Sequence, residues 1–133
     1  MKVITIAIMV LRLGVLLALI MGILFWTGYI QNLIPIHMLI GILVVLSLWI
    51  IGLAQGFIKG ASFSLALVTF ILGLALAIVG LYQTGWLIGS LYSLHWIIRV
   101  IHLLLGLSAI ALGEMIAART KRRLKSTAQV NVS

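Results

Sequence analysis

Apolar residues fill the chain in four long runs, about Val3 to Trp26, Ile36 to Ala54, Phe63 to Leu81 and Leu94 to Ala118, with short polar stretches between them. Each run is apolar on every face and approaches the roughly 20 residues that a helix needs to cross a hydrocarbon core. Membrane β-strands are shorter and alternate in polarity. The pattern therefore predicts an all-α, integral membrane four-helix bundle over residues 1–118, followed by a basic tail, 119–133. The first run follows Lys2 as a secretory signal would, but it is longer than the ~7–15 residue apolar core of a signal, and "FWTGYIQN" is not a small-residue cleavage site. It is read as a retained first span.

Composition agrees: 65% of the 133 residues are hydrophobic, 8% are charged, and the mean hydropathy is +1.39. That leaves too little polar surface to cover a water-soluble globule. Charge adds an orientation. Lys2, Lys59 and the run Arg119, Lys121, Arg122, Arg123, Lys125 fall where an even number of spans places them on one side, while the loops "TGYIQNLIP" and "LYQTGWLIGSLYSL" carry no charge. The excess of cations predicts both termini in the cytoplasm and a multi-pass protein of the cell membrane. Trp26, Tyr29, Tyr82, Trp86, Tyr92 and Trp96 gather near the outer loops as an interfacial aromatic belt. The net charge of +8 is explained by topology and by attraction to anionic lipid, not by nucleic acid. The closing "STAQVNVS" is short and polar, and is expected to be disordered. Cysteine is absent, which excludes disulfides, thiolate metal sites and haem attached through Cys.

Small residues recur at steps of three to four, the spacing that lets membrane helices approach closely: Gly14, Ala18 and Gly22; Gly52 and Gly56; Gly73, Ala77 and Gly80; and, down one face of the last span, Gly106, Ala109 and Gly113. Tight packing accounts for the glycines and leaves the histidines unexplained. "IHMLIG", residues 36–41, returns as "IHLLLG", residues 101–106, so two of the three histidines sit in matching hexapeptides, His37 followed by Gly41 and His102 by Gly106. An intramembrane histidine ordinarily faces the bundle interior and bonds something there. Two histidines on parallel helices suit haem b: each imidazole gives a nitrogen to iron, and the bundle supplies an apolar slot for the porphyrin. A glycine one turn from each ligand removes the side chain that would collide with a flat macrocycle. The metal ligands read from the sequence are thus His37 and His102.

Other chemistry lacks its parts. Zinc wants three or four ligands, and two or three imidazoles would hold copper only without the usual Met or Cys company. Glu114 is the sole acid, so a carboxylate relay has no second member, and no Ser-His-Asp set or phosphate loop can be assembled. The first helix lacks the carboxylate a small multidrug exporter would want, and there is no intramembrane lysine for a retinal Schiff base. No catalytic residue is assigned.

The second span opening with His ("IHMLIGILVVLSLWI"), the third reading "ILGLALAIVG", and the fourth carrying His before a basic end ("IHLLLGLSAIALGEMIAARTKRR") resemble one half of the heme A synthase family. The resemblance covers about two thirds of the chain. It implies a four-helix half offering a His from its second and fourth helices on the outer side, in the manner of the half that holds haem b, and a dimer of such halves would restore an eight-span arrangement. The chain departs from the half that performs chemistry: Ile34 stands where that half has an acid, and the outer-loop cysteines are missing.

Depth counted from the basic ends matches His95, rather than His102, to His37, whereas the repeat selects His102; the repeat is followed here. His95 is then free to contact a propionate or complete a second site. Arg99, one turn outward of His102, suits propionates bidentately or reaches for the outer interface. Gln31 and Asn32 lie at the same rim. Arg12 and Glu114, both in the cytoplasmic halves of their helices, would each be relieved in lipid by an ion pair, and Trp49 is read as packing. Two functions are compatible with these features: a small membrane cytochrome b that transfers electrons to an unknown redox partner or handles haem, or a non-haem structural or accessory subunit whose histidines bond across helices.

Overall fold

The computed structural model describes residues 2–58, 62–83 and 95–130. Four helices make up almost all of it: α1 (Lys2–Trp26), α2 (Ile34–Gly56), α3 (Phe63–Tyr82) and α4 (His95–Val130), each long and apolar enough to cross a membrane. The protein is a multi-pass membrane four-helix bundle. Lys59, Trp86, Tyr92 and the start of the fourth span at Leu94 lie outside the described residues.

Local chemistry sets the ends of the helices. The Tyr29 amide donates to Leu24 O at 3.0 Å and the Gly28 amide to Phe25 O at 3.1 Å, a Schellman closure that requires a left-handed residue at Gly28, whose φ is 83°. A 3-10 turn, Gln31–Leu33, leads into α2, and Pro35 in the first turn of α2 loses nothing by lacking an amide proton. At the other end α4 does not stop with the apolar run. It continues through Arg119–Lys125 to Val130, so the stretch from Ser126 to Val130, expected to be disordered, is helical. The reason is that Arg, Lys, Leu and Ala are good helix formers, and extending an existing helix carries no nucleation cost.

The packing order is a ring, α1 against α2, α2 against α3, α3 against α4 and α4 against α1, closed by a direct α2 to α4 contact across its diagonal. Helix association in lipid draws on close packing rather than on the hydrophobic effect, and glycines permit it. A Cβ at Gly52 would stand 2.0 Å from Thr69 Oγ1, one at Gly73 2.3 Å from Trp49 Nε1, one at Gly14 2.7 Å from Val44 Cγ2, and one at Gly113 2.3 Å from Leu11 Cδ2. Trp49 packs as expected, stacked on Phe70 at 5.0 Å and donating from Nε1 to Phe70 O at 3.3 Å. Gly14 borders Val44 while Phe25 meets His37, so α1 and α2 run antiparallel; His37 meets His102 while Ile51 borders Gly113, so α2 and α4 run parallel, and the start of α1 lies at the same end of the bundle as the end of α4. We call this the basal end, and the opposite one distal.

The two ends are packed differently. Every buried described residue falls in 4–15, 44–55, 69–76 or 109–120, and Leu11, Leu48, Ile51, Thr69, Ala109 and Ile116 make the tight center of this basal core. No described residue of 16–43, 77–83 or 95–108 is buried. The histidines lie in this looser distal half.

Candidate functional site

His37 stands in the first turn of α2 and His102 in the third turn of α4. Across the α2 to α4 diagonal their rings approach to a centroid distance of 6.2 Å, with planes tilted by 55°. The offset in sequence that relates the two hexapeptides also relates Ile51 to Ile116, which share the basal core, and Gln55 to Thr120, which line one basal cleft. The two parallel helices thus keep one register over their common length, and the repeat is a repeat in space. Counting depth from charges points elsewhere because the charges are not equivalent marks: α2 ends at Gly56, before Lys59, whereas α4 runs on as helix past Arg119.

Three neighbors shape the pair. Phe25, near the end of α1, meets His37 edge-on at 5.3 Å, and Gln31 fixes that end of the helix by donating from Nε2 to Phe25 O at 3.0 Å. From α3, Gly80 backs onto His102, where a Cβ would stand 3.0 Å from Cε1. Gly41 and Gly106, one turn basal of the two histidines, have nothing within 4 Å of the position a Cβ would take. The Nδ1 atoms of His37 and His102 are buried without a hydrogen-bond partner. Leaving a buried polar group unpaired costs about 1–3 kcal/mol, and hydrocarbon offers no water to relieve it.

His95 is not part of the pair. It lies two turns distal of His102, partly exposed, and its Nδ1 is likewise buried and unpartnered. Arg99 is exposed, one turn basal of His95 on α4. Asn32 is exposed at the same rim. Arg12 and Glu114 do form the expected ion pair, bidentate, with Arg12 Nη2 donating to Glu114 Oε2 at 2.8 Å. Their side chains are 55% and 40% exposed, so the pair lies on the outer surface of the bundle, against the surroundings of α1 and α4 rather than in the core.

The residues fit a bis-imidazole haem. At this spacing both imidazoles would be able to hold a single metal ion between them. Among the described residues no three of His, Asp and Glu converge. A pair suffices where a porphyrin supplies the remaining nitrogens. Sequence reasoning passed over Phe25 and the approach of Gly80 to His102. Gly80 closes the "LGLALAIVG" run and reads there as one more packing glycine, while nothing in the local sequence marks Phe25.

No protein-family model, curated protein or solved structure matches the chain. The likeness to a heme A synthase half rests on its own residues.

Proposed function

We propose that this protein is a membrane b-type cytochrome that holds one haem b between His37 of α2 and His102 of α4 and serves electron transfer or haem handling. The observation that carries the reading is the 6.2 Å ring pair with an unfilled position at each following glycine, set in the half of the bundle where no described residue is buried. His37 and His102 would hold the iron; when bound, the group would supply a one-electron couple tuned by these two imidazoles and its apolar surroundings. The chain's own part is to hold two neutral imidazoles at fixed spacing. Phe25 limits the swing of His37, and Gly80 lets the His102 ring lie close to α3. Arg99, exposed at the distal rim, would meet propionates in this reading, and His95 would take no part in ligation. The resemblance to the haem-b-holding half of heme A synthases supports the same assignment.

The cation distribution puts the basal end, with both termini, in the cytoplasm and the haem toward the outer face of the cell membrane. A redox partner on that side would exchange the electron. The test is the reduced-minus-oxidised absorption spectrum of the purified protein. A b-type α-band is expected, and a protein that stays colorless after expression with adequate haem overturns the reading.

One observation favors the second function, an accessory subunit of a larger membrane complex. An ion pair half exposed on the outside of a spanning bundle is unfavorable against lipid and well placed against protein. A second copy of the chain, which would restore an eight-span assembly, is the simplest such neighbor, and the two readings are compatible.

A further inference from the structure

At the basal end a cleft opens between α2, α3 and α4, and it is chemically unlike the rest of the bundle. Its lining is Gln55, Ile58, Leu65, Ile116, Thr120 and the two arginines Arg119 and Arg123. It is a narrow recess, with room inside for little more than a water molecule, that opens to the surroundings at its mouth. Arg119 and Arg123 are one helical turn apart and so share a face of α4. Beside them Thr120 and Gln55 are buried, 5% and 4% exposed. Gln55 is held in place by donating from Nε2 to Ser62 O at 2.9 Å, which ties the end of α2 to the start of α3. Ile58, Leu65 and Ile116 supply the apolar part of the lining.

We propose that this cleft binds a phosphate ester, the headgroup phosphate of an anionic phospholipid, with Arg119 and Arg123 on the phosphate oxygens and Ile58 and Leu65 against the first carbons of its chains. Topology alone asks only for cations near this end and is indifferent to the face they occupy. Lys121 and Lys125 satisfy that requirement from exposed positions outside the cleft. Arg119, exposed like the lysines, and the half-buried Arg123 instead line a recess that also holds the buried polar groups Gln55 and Thr120. Guanidinium forks suit phosphate oxygens bidentately, and basic pockets between spanning helices on the cytoplasmic side are where anionic headgroups are captured. The site is independent of the haem reading.

The experiment compares the purified full-length protein with R119Q/R123Q and with K121Q/K125Q, which loses the same charge outside the cleft. Binding is read by native mass spectrometry and by retention of a fluorescent phosphatidylglycerol, with phosphatidylcholine as the neutral lipid. The expected result is one retained phosphatidylglycerol, weakened about tenfold for each cleft arginine removed and within about twofold of the parent in K121Q/K125Q. R119K/R123K, which keeps the charge and loses the fork, should fall between them, and helical content by circular dichroism shows that each variant is folded. Inorganic phosphate is the second arm. If it binds with the same arginine dependence while phosphatidylglycerol does not, the site is an anion site with a soluble source and the lipid assignment is overturned. If both double neutralisations weaken phosphatidylglycerol equally, or neither does, the cleft is not a site.

Discussion

Gly41 and Gly106 separate the haem reading from a bundle in which histidines only pack. Replacing a helical glycine by alanine removes backbone entropy from the unfolded chain and gains up to about 1 kcal/mol where the methyl meets nothing. At both positions there is nothing within 4 Å of the new Cβ. The haem-free G41A/G106A protein should therefore be as stable as the parent or more so. G113A is the contrast, since its methyl would stand 2.3 Å from Leu11 Cδ2 in the basal core, and overpacking of that kind costs about 1–3 kcal/mol. The haem-bound protein should respond in the opposite order. If the two open positions are the space a porphyrin uses, methyl groups there meet the ring, and a penalty of the same 1–3 kcal/mol corresponds to a haem affinity lowered by roughly 5- to 150-fold. G113A, remote from the pair, should keep its haem stoichiometry while folded. The assay is two titrations on each variant in detergent: denaturant unfolding of the haem-free form followed by tryptophan fluorescence, and haem reconstitution followed by the Soret band. Tight haem binding by G41A/G106A would refute the reasoning that the glycines following each histidine make room for the ring.

His37→Ala and His102→Ala should each convert a six-coordinate low-spin spectrum into a five-coordinate or empty one, while His95→Ala keeps the low-spin spectrum with at most a shifted potential. The reverse result for His95 and His102 would move the haem toward the distal rim, and no change in any of the three would remove the haem reading. Glu114→Gln should leave haem content intact, because the ion pair lies twelve positions basal of His102 on α4. It should also lower resistance to denaturant by leaving the Arg12 guanidinium unpaired in the span, with R12L/E114L recovering most of the loss; haem loss in a folded Glu114→Gln protein would mean that the cofactor is misplaced. A reporter that works only in the cytoplasm should be active when fused after Ser133, and activity solely from a periplasmic reporter would invert the topology.

The four helices were legible because a span is announced by length and continuous hydrophobicity, and nothing in the tertiary contacts can alter that in lipid. The ion pair was legible for a related reason: Arg12 and Glu114 are opposite charges inside the cytoplasmic halves of their runs, and each lowers the cost of the other. The continuation of α4 to Val130 was not, since a charged and polar segment is compatible with both coil and helix until a preceding helix supplies the nucleus. Nor was the difference between the glycines. Gly113 and Gly106 belong to one stripe of α4, yet one is filled by Leu11 and the other faces open space, because what decides is the neighboring helix and not the spacing.

The choice between His95 and His102 shows which kind of sequence signal survives folding. Depth counted from charged residues assumes that every helix meets the interface at its first cation, and α2 and α4 violate this in opposite senses, one ending before Lys59 and the other passing Arg119 without a break. The repeated hexapeptide makes no such assumption. It compares two parallel helices directly, and its offset is also the offset that relates Ile51 to Ile116 and Gln55 to Thr120 at the far end of the same pair. A register shared from the basal cleft to the distal half brings His37 to His102 and leaves His95 two turns away, so the same alignment of α2 with α4 sets both the imidazole pair at 6.2 Å and the recess that Arg119 and Arg123 line with Gln55 and Thr120. Shifting α4 by one turn against α2 would separate the histidines and empty the cleft of its glutamine at once. The two proposed sites, though chemically unrelated, therefore constrain the same helix interface.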